Sequence, residues 1–443
     1  MPPEPSRKRH RVLLIAEAAN PEWVSVPLVG WSIACALREV ADVHLVTQVR
    51  NRDAIRRAGL VEGSDFTAID TEQVMKPLWK LSSLLRGGEG KGWTTVTAIQ
   101  SLAYPLFERL VWKRFGRRIR SGEFDLVHRV TPLSPTAPSS LAKHCARARV
   151  PFVLGPLNGG VPWPHGFDKE RRKEREWLSY VRAIYKWLPA IRSTWRYSSA
   201  IIAASRHTMS ELPHAARAKT IYIPENAIDP QRFTAPNDEA KDDCVRLCFI
   251  GRLVAYKGPD IAIEAAQHLL RDGRARLTII GDGPMMPELR AQAARLGVAD
   301  AVEFTGWVDH GGIATIARTN KIFLFPSVRE FGGGAVIEAM SLGLVPIVVN
   351  YGGPGEIVSG DTGFRLPLSS RERLIEHAST LLGEIASGEH DLAQLARHGL
   401  ERVRSLYTWN RKALQLRDVY DWATGLRPAK PEFAFIDANA TSN

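Results

Sequence analysis

Glu330-Phe331-Gly332-Gly333-Gly334-Ala335-Val336-Ile337-Glu338 decides how this chain reads. An apolar strand-like run, Ile322 to Phe325, precedes it, and a helix-like run, Ala335 to Leu342, follows. The segment is therefore a strand, a glycine-rich turn and a helix N-terminus. Such a turn holds an anion: unpaired N–H groups and the positive end of the helix dipole favour phosphate, and glycine lets a ligand approach the backbone. The spacing places Glu330 in the loop and Glu338 in the first helical turn, where each accepts hydrogen bonds from sugar hydroxyls. Phosphate donors beside two hydroxyl acceptors point to a nucleotide sugar as the ligand.

The chain on either side agrees. Leu247 to Ile250 reads as a buried strand running into Gly251-Arg252-Leu253-Val254-Ala255-Tyr256-Lys257-Gly258, with a helix from Asp260 to Arg271. Two cations at a strand end suit a diphosphate. A second strand, Leu277 to Ile280, ends in Gly281-Asp282-Gly283-Pro284, and a third, Ala301 to Phe304, ends in Thr305-Gly306-Trp307. Strands alternating with helices imply a parallel, doubly wound α/β sheet, which takes ligands at the carboxyl ends of its strands.

Together these motifs resemble those of the retaining glycosyltransferases of the GT-B fold, specifically family 4 (glycosyl transferases group 1). The resemblance rests on Gly251-Arg252 with Lys257-Gly258, on Gly281-Asp282-Gly283-Pro284, on Pro326-Ser327 before the Glu330 to Glu338 element and on Ala339-Met340. It continues through Gly343, Pro346 and Tyr351-Gly352-Gly353-Pro354-Gly355-Glu356, covering roughly residues 221 to 365. It implies two Rossmann-like domains facing each other across a cleft and transfer of a sugar with retention of anomeric configuration, without a cofactor or metal ion. It also implies that Arg252 and Lys257 bind the donor pyrophosphate, Glu330 contacts the donor sugar and Glu338 the ribose. Catalytic roles then fall to Glu330, Arg252 and Lys257, and donor binding also draws on Gly251, Gly281, Gly306, Phe331, Gly332, Gly333, Gly334 and Glu338. The fold also hosts nucleotide-sugar epimerases and hydrolases, and a non-catalytic sugar-nucleotide binder carries the same ligand site.

The N-terminal half reads as a second Rossmann-like domain with strands Val12 to Ala16, Val43 to Thr47, Leu126 to Arg129, Pro151 to Leu154 and Ala200 to Ala204. In the family this half binds the acceptor. Its loop Leu154-Gly155-Pro156-Leu157-Asn158-Gly159-Gly160-Val161-Pro162-Trp163-Pro164-His165 is too rich in Gly and Pro for regular structure. Many members carry a histidine there, whereas this chain has Leu157 and Asn158. The acceptor-side candidates are His128, Asn158, Gly159 and His165, with a structural histidine the alternative for each imidazole.

Domain limits follow: 1–225 for the acceptor domain, 226–243 for a polar linker, 244–405 for the donor domain, 406–426 for a terminal helix returning to the first domain, and 427–443 for a disordered tail. Four cysteines, Cys35, Cys145, Cys244 and Cys248, make neither a disulfide framework nor a zinc set, which fits a reduced cytoplasm. No convincing leader or spanning segment is present, since Glu17 and Asn20-Pro21 end the first apolar run early.

Charge is uneven. Residues 1 to 220 hold 35 Lys+Arg against 19 Asp+Glu, while the whole chain carries +12. Cations interleave with aromatics over Lys76 to Arg86, Phe107 to Arg120 and Lys169 to Tyr197. Two readings stand: docking on an anionic membrane, which places the protein at the inner face of the plasma membrane beside a lipid-linked or glycan acceptor, or a solvated basic face over an aromatic core. Signatures of nucleic-acid binding are missing from the sequence.

Overall fold

A computed structural model describes residues 9–71, 93–159, 161–164, 166–168, 188–229 and 244–435. Over these, the chain divides into two compact units. One comprises Met1–Gly159, Trp177–Glu225 and Trp409–Phe433; the other comprises Gly160–Glu176, Asn226–Thr408 and Ala434–Asn443.

The first unit is built on seven parallel strands: β1 (Arg11–Ala16), β2 (Asp42–Gln48), β3 (Phe66–Ile69), β4 (Leu126–Thr131), β5 (Phe152–Leu157), β6 (Ala200–Ala203) and β7 (Thr220–Tyr222). Their order is β3-β2-β1-β4-β5-β6-β7. The strands are continuous apolar runs because helices cover both faces, and Leu13, Ile15, Val127, Phe152 and Leu154 join one buried cluster. The register of β1 puts Leu13 beside Val127 of β4 and Val12 beside Val43 of β2. Strand β5 does not stop at Leu154: it runs through Gly155 and Pro156 to Leu157, with a register break against β6. The Gly-Pro composition argued for a loop there, but Leu157 pairs with Ala203 of β6 and its carbonyl accepts from Ala204 N–H at 2.8 Å.

The helix Trp93–Arg120 settles one aromatic-basic segment. Phe107, Val111, Phe115 and Ile119 are buried at helical spacing, so this stripe is core. Trp112 is half-buried, stacked on His144 with centroids 4.5 Å apart. The segments 76–86 and 169–187, His165 and the linker residues 234–243 lie outside the described residues.

The helix Trp409–Ala423 belongs to the first unit. His10 Nε2 lies 2.7 Å from Asp421, and His128 Nδ1 lies 2.7 Å from the Tyr420 hydroxyl. These contacts fasten the C-terminal helix to β1 and β4.

The second unit is a six-stranded parallel sheet: β8 (Val245–Ile250), β9 (Ala275–Ile280), β10 (Val302–Gly306), β11 (Ile322–Phe325), β12 (Val345–Val349) and β13 (Phe364–Leu366), in the order β10-β9-β8-β11-β12-β13. Strand β12 contains Pro346, a residue that argues against an interior strand, yet it pairs with Phe323. The tail expected to be disordered from 427 is ordered as far as 435: Phe435 is fully buried, packs on Tyr407, and its carbonyl accepts from Arg402.

Candidate nucleotide-sugar site

In the second unit, strand order reverses between β8 and β11, the place where a parallel sheet opens at its carboxyl edge. The glycines there are required by contact. Gly251 N–H donates to Ile280 O at 3.0 Å, Gly281 N–H donates to Gly306 O at 3.0 Å, and a Cβ on Gly281 would lie 2.1 Å from Gly251 O. Residues Ala255–Lys257 form one 3-10 turn that ends at Gly258 in the left-handed region (φ 71°).

Beyond Gly251, the Lys257 ammonium lies 5.5 Å from the Phe325 ring centroid and pairs with Glu330 Oε2 at 3.0 Å. Burial works to lower the Lys257 pKa, but the charge and hydrogen bond of Glu330 outweigh it and hold the ammonium above the ordinary lysine range. Arg252, beside Gly251 in sequence, is exposed.

Glu330 is held from its backbone. Gly353 N–H donates to Glu330 O at 3.1 Å, and Gly352 sits so close that a Cβ would be 2.3 Å from the same oxygen. Gly333, at φ 60°, opens the helix Gly334–Ser341 without a side-chain cap, so first-turn N–H groups have no capping side chain. Glu338 is the fifth helical residue, one position deeper than the spacing implied, because the helix starts at Gly334. Helical side chains lean toward the N-terminus, which still directs this carboxylate back along the glycine turn.

Arg329, Trp163 and Tyr351, none of them a site candidate from the sequence, complete the neighbourhood. Arg329, 6% exposed, lies with its guanidinium 4.9 Å from the Trp163 ring centroid and 5.1 Å from that of Phe331. Its Nε donates to Val161 O at 3.4 Å, and the Tyr351 hydroxyl donates to Pro162 O at 2.8 Å. The only sequence signal was an arginine and aromatics flanking glycine motifs.

Residues 231–395 match the sequence family described as glycosyl transferases group 1. Over those residues, all in the second unit, the chain is similar to that family. The chain is 30% identical over 209 residues to a phosphatidylinositol N-acetylglucosaminyltransferase subunit from Arabidopsis thaliana, an alignment covering 46% of this chain and 44% of the relative. It is 26% identical over 328 residues to glycogen synthase of Mycobacterium tuberculosis, covering 72% and 74%. The chain thus spans about half the length of the curated relatives it matches first. Among solved structures, Alr3699/HepE of Anabaena, determined in complex with UDP, superposes with a TM-score of 0.60 at 16% identity, covering 92% of this chain and 98% of that one. The two-sheet architecture is the GT-B fold.

In the N-terminal unit of this GT-B protein the residues named from the sequence as acceptor-side candidates are less open than expected. His128 is fully buried. Its Nε2 lies 2.7 Å from Gly155 O, so Nε2 carries the proton and Nδ1 accepts from Tyr420. Burial pushes its pKa down to about 4, and both nitrogens are occupied by the fold. Asn158 Nδ2 donates to Glu225 at 2.9 Å, and Gly159 N–H donates to Thr208 Oγ1 at 2.9 Å. Beside Glu225, the Lys412 ammonium donates to Pro224 O; burial, only partly offset by Glu225, pushes its pKa down to about 7.

Proposed function

We propose that the protein is a retaining glycosyltransferase that moves a sugar from a nucleotide sugar to a glycan or lipid-linked acceptor. The observation that carries this is the Lys257–Glu330 ion pair at the β8/β11 strand ends, with the uncapped helix Gly334–Ser341 following the same glycine turn. A donor replaces the pair: its diphosphate takes the ammonium and its sugar hydroxyls take the carboxylate. When the bond from sugar C1 to the diphosphate breaks, negative charge grows on the leaving phosphate oxygens. Lys257, Arg252 and the glycine-turn N–H groups are the donors that stabilise it, and Lys257 and the N–H groups, held by the fold in advance, need little reorganisation. This role for fixed cations supports transfer without a divalent ion.

The reading extends to the membrane through the first unit. The packed helices Trp93–Arg120, Ser140–Arg147 and Pro189–Tyr197 expose Arg109, Lys113, Arg114, Arg117, Lys143 and Arg192. No helix of the described residues is long and apolar enough to cross a membrane. A basic helical layer of this kind supports peripheral binding to the inner leaflet of the plasma membrane, which suits a lipid-linked acceptor; the plant relative is itself named for phosphatidylinositol.

The test is a thermal-shift panel of UDP, GDP, ADP and their glucose esters, because a ligand that binds only the native state raises its melting temperature. One nucleotide should stabilise the wild type and fail to stabilise Lys257→Ala. A panel with no shift at millimolar ligand overturns the reading.

A further inference from the structure

Glu330 has a role in this site that its own side-chain contacts do not secure. Its ion pair with Lys257 must open when a donor arrives, so at that moment the carboxylate keeps its place through the backbone of residues 329–331. Two things hold that backbone. One is the Gly353 N–H on Glu330 O. The other is the preceding residue, Arg329, whose guanidinium lies over the rings of Trp163 and Phe331 and whose Nε reaches Val161 O.

The segment it grips, 161–164, follows β5 in the chain but belongs to the same compact unit as Arg329. A second strap secures it, from Tyr351 to Pro162 O, and Trp163 sits edge-on to Tyr256 with centroids 6.3 Å apart. Tyr256 precedes Lys257, and Tyr351 precedes Gly352 and Gly353. The 161–164 segment therefore touches all three stretches that position the pair: 256–257, 329–331 and 351–353.

We propose that Arg329 is a positioning residue: in contact with both Trp163 and Phe331, it anchors the 161–164 segment to the loop bearing Glu330 and so fixes the carboxylate while its ion pair with Lys257 opens. This rests on the donor-site reading above. Arginine suits the place because a planar guanidinium stacks on two rings while still donating to a carbonyl, which an ammonium cannot do.

The experiment compares Arg329→Ala, Arg329→Lys, Trp163→Ala and Trp163→Phe with wild type by three readouts. These are turnover of UDP-, GDP- and ADP-glucose each tested singly, affinity for the matching nucleoside diphosphate, and amide exchange over residues 157–164. Arg329→Ala and Trp163→Ala should each lower kcat by roughly thirtyfold while diphosphate affinity stays within about threefold, the signature of lost positioning. The double variant should be no slower than the worse single one, since the two side chains form one contact. Trp163→Phe should recover most of the loss and Arg329→Lys little of it. Exchange over 157–164 should quicken in both alanine variants.

A kcat within about threefold of wild type in Arg329→Ala, or losses that multiply in the double variant, overturns the proposal. So does diphosphate affinity falling in step with kcat, which would mark general damage. If wild type turns over none of the three sugars, the functional reading fails instead, and the exchange data alone decide the anchor: unchanged exchange in Arg329→Ala refutes it.

Discussion

At the scale of single residues, the donor site makes separable demands. On the proposed donor reading Lys257 and Arg252 oppose charge that develops as the donor bond breaks, so Lys257→Ala and Arg252→Ala should each lower turnover by roughly a hundredfold with the fold intact; steady-state kinetics beside circular dichroism check this. Glu330→Gln should mainly lower kcat, and Glu338→Gln should mainly weaken nucleotide affinity. Gly333 tests the turn itself. It sits at φ 60°, and a Cβ there would lie 2.4 Å from Ile357 Cδ1. Gly333→Ala should therefore tilt the helix start and weaken nucleoside diphosphate binding by about tenfold or more, read by titration calorimetry. These residues were legible in the sequence because each lies within a few positions of a glycine that marks a strand end. Arg329 was not, because an arginine looks the same in sequence whether it is solvated or buried against two aromatic rings.

At the scale of elements, the helix Trp409–Ala423 is bound into the N-terminal unit by histidines whose partners are far away in sequence. His128 is held neutral, its pKa pushed down from an ordinary 6.5 to about 4 by burial. The unfolded chain therefore binds more protons between those values, and stability present above pH 6.5 is lost as pH falls toward 4, by at most about 3 kcal/mol. Denaturant unfolding at pH 7.5 and 5 should show the loss, and His128→Gln should remove most of that pH dependence at the cost of lower stability at neutral pH. The strand and helix cores of β1, β2, β4, β6, β8, β9, β10 and β11 were readable from apolar runs. Strands β3, β7 and β13 were missed because edge strands of three or four residues give too short a pattern, and the end of β5 was hidden by Gly155 and Pro156.

At the scale of the whole molecule, two outcomes test how it works. Transfer should persist in excess chelator if, as proposed, Lys257 and Arg252 do an ion's work on the diphosphate; activity lost to EDTA and restored by magnesium would refute this. Co-sedimentation with vesicles rich in phosphatidylserine should fall on the order of a hundredfold when Arg109, Lys113 and Arg117 are all changed to Gln, and should weaken with salt. Equal binding by that variant would move the docking face elsewhere. By itself, the sequence determined the doubly wound sheets and the glycine turns at their strand ends, because turn chemistry, strand runs and helix starts are encoded within a dozen residues. Only the tertiary structure decided that His128 is sealed against Tyr420, 292 positions away, that the Phe107 to Ile119 stripe is core, and that the 161–164 segment is anchored by Arg329. The physical reason is that burial and pairing depend on which distant surfaces meet, and residue type and local spacing do not record that.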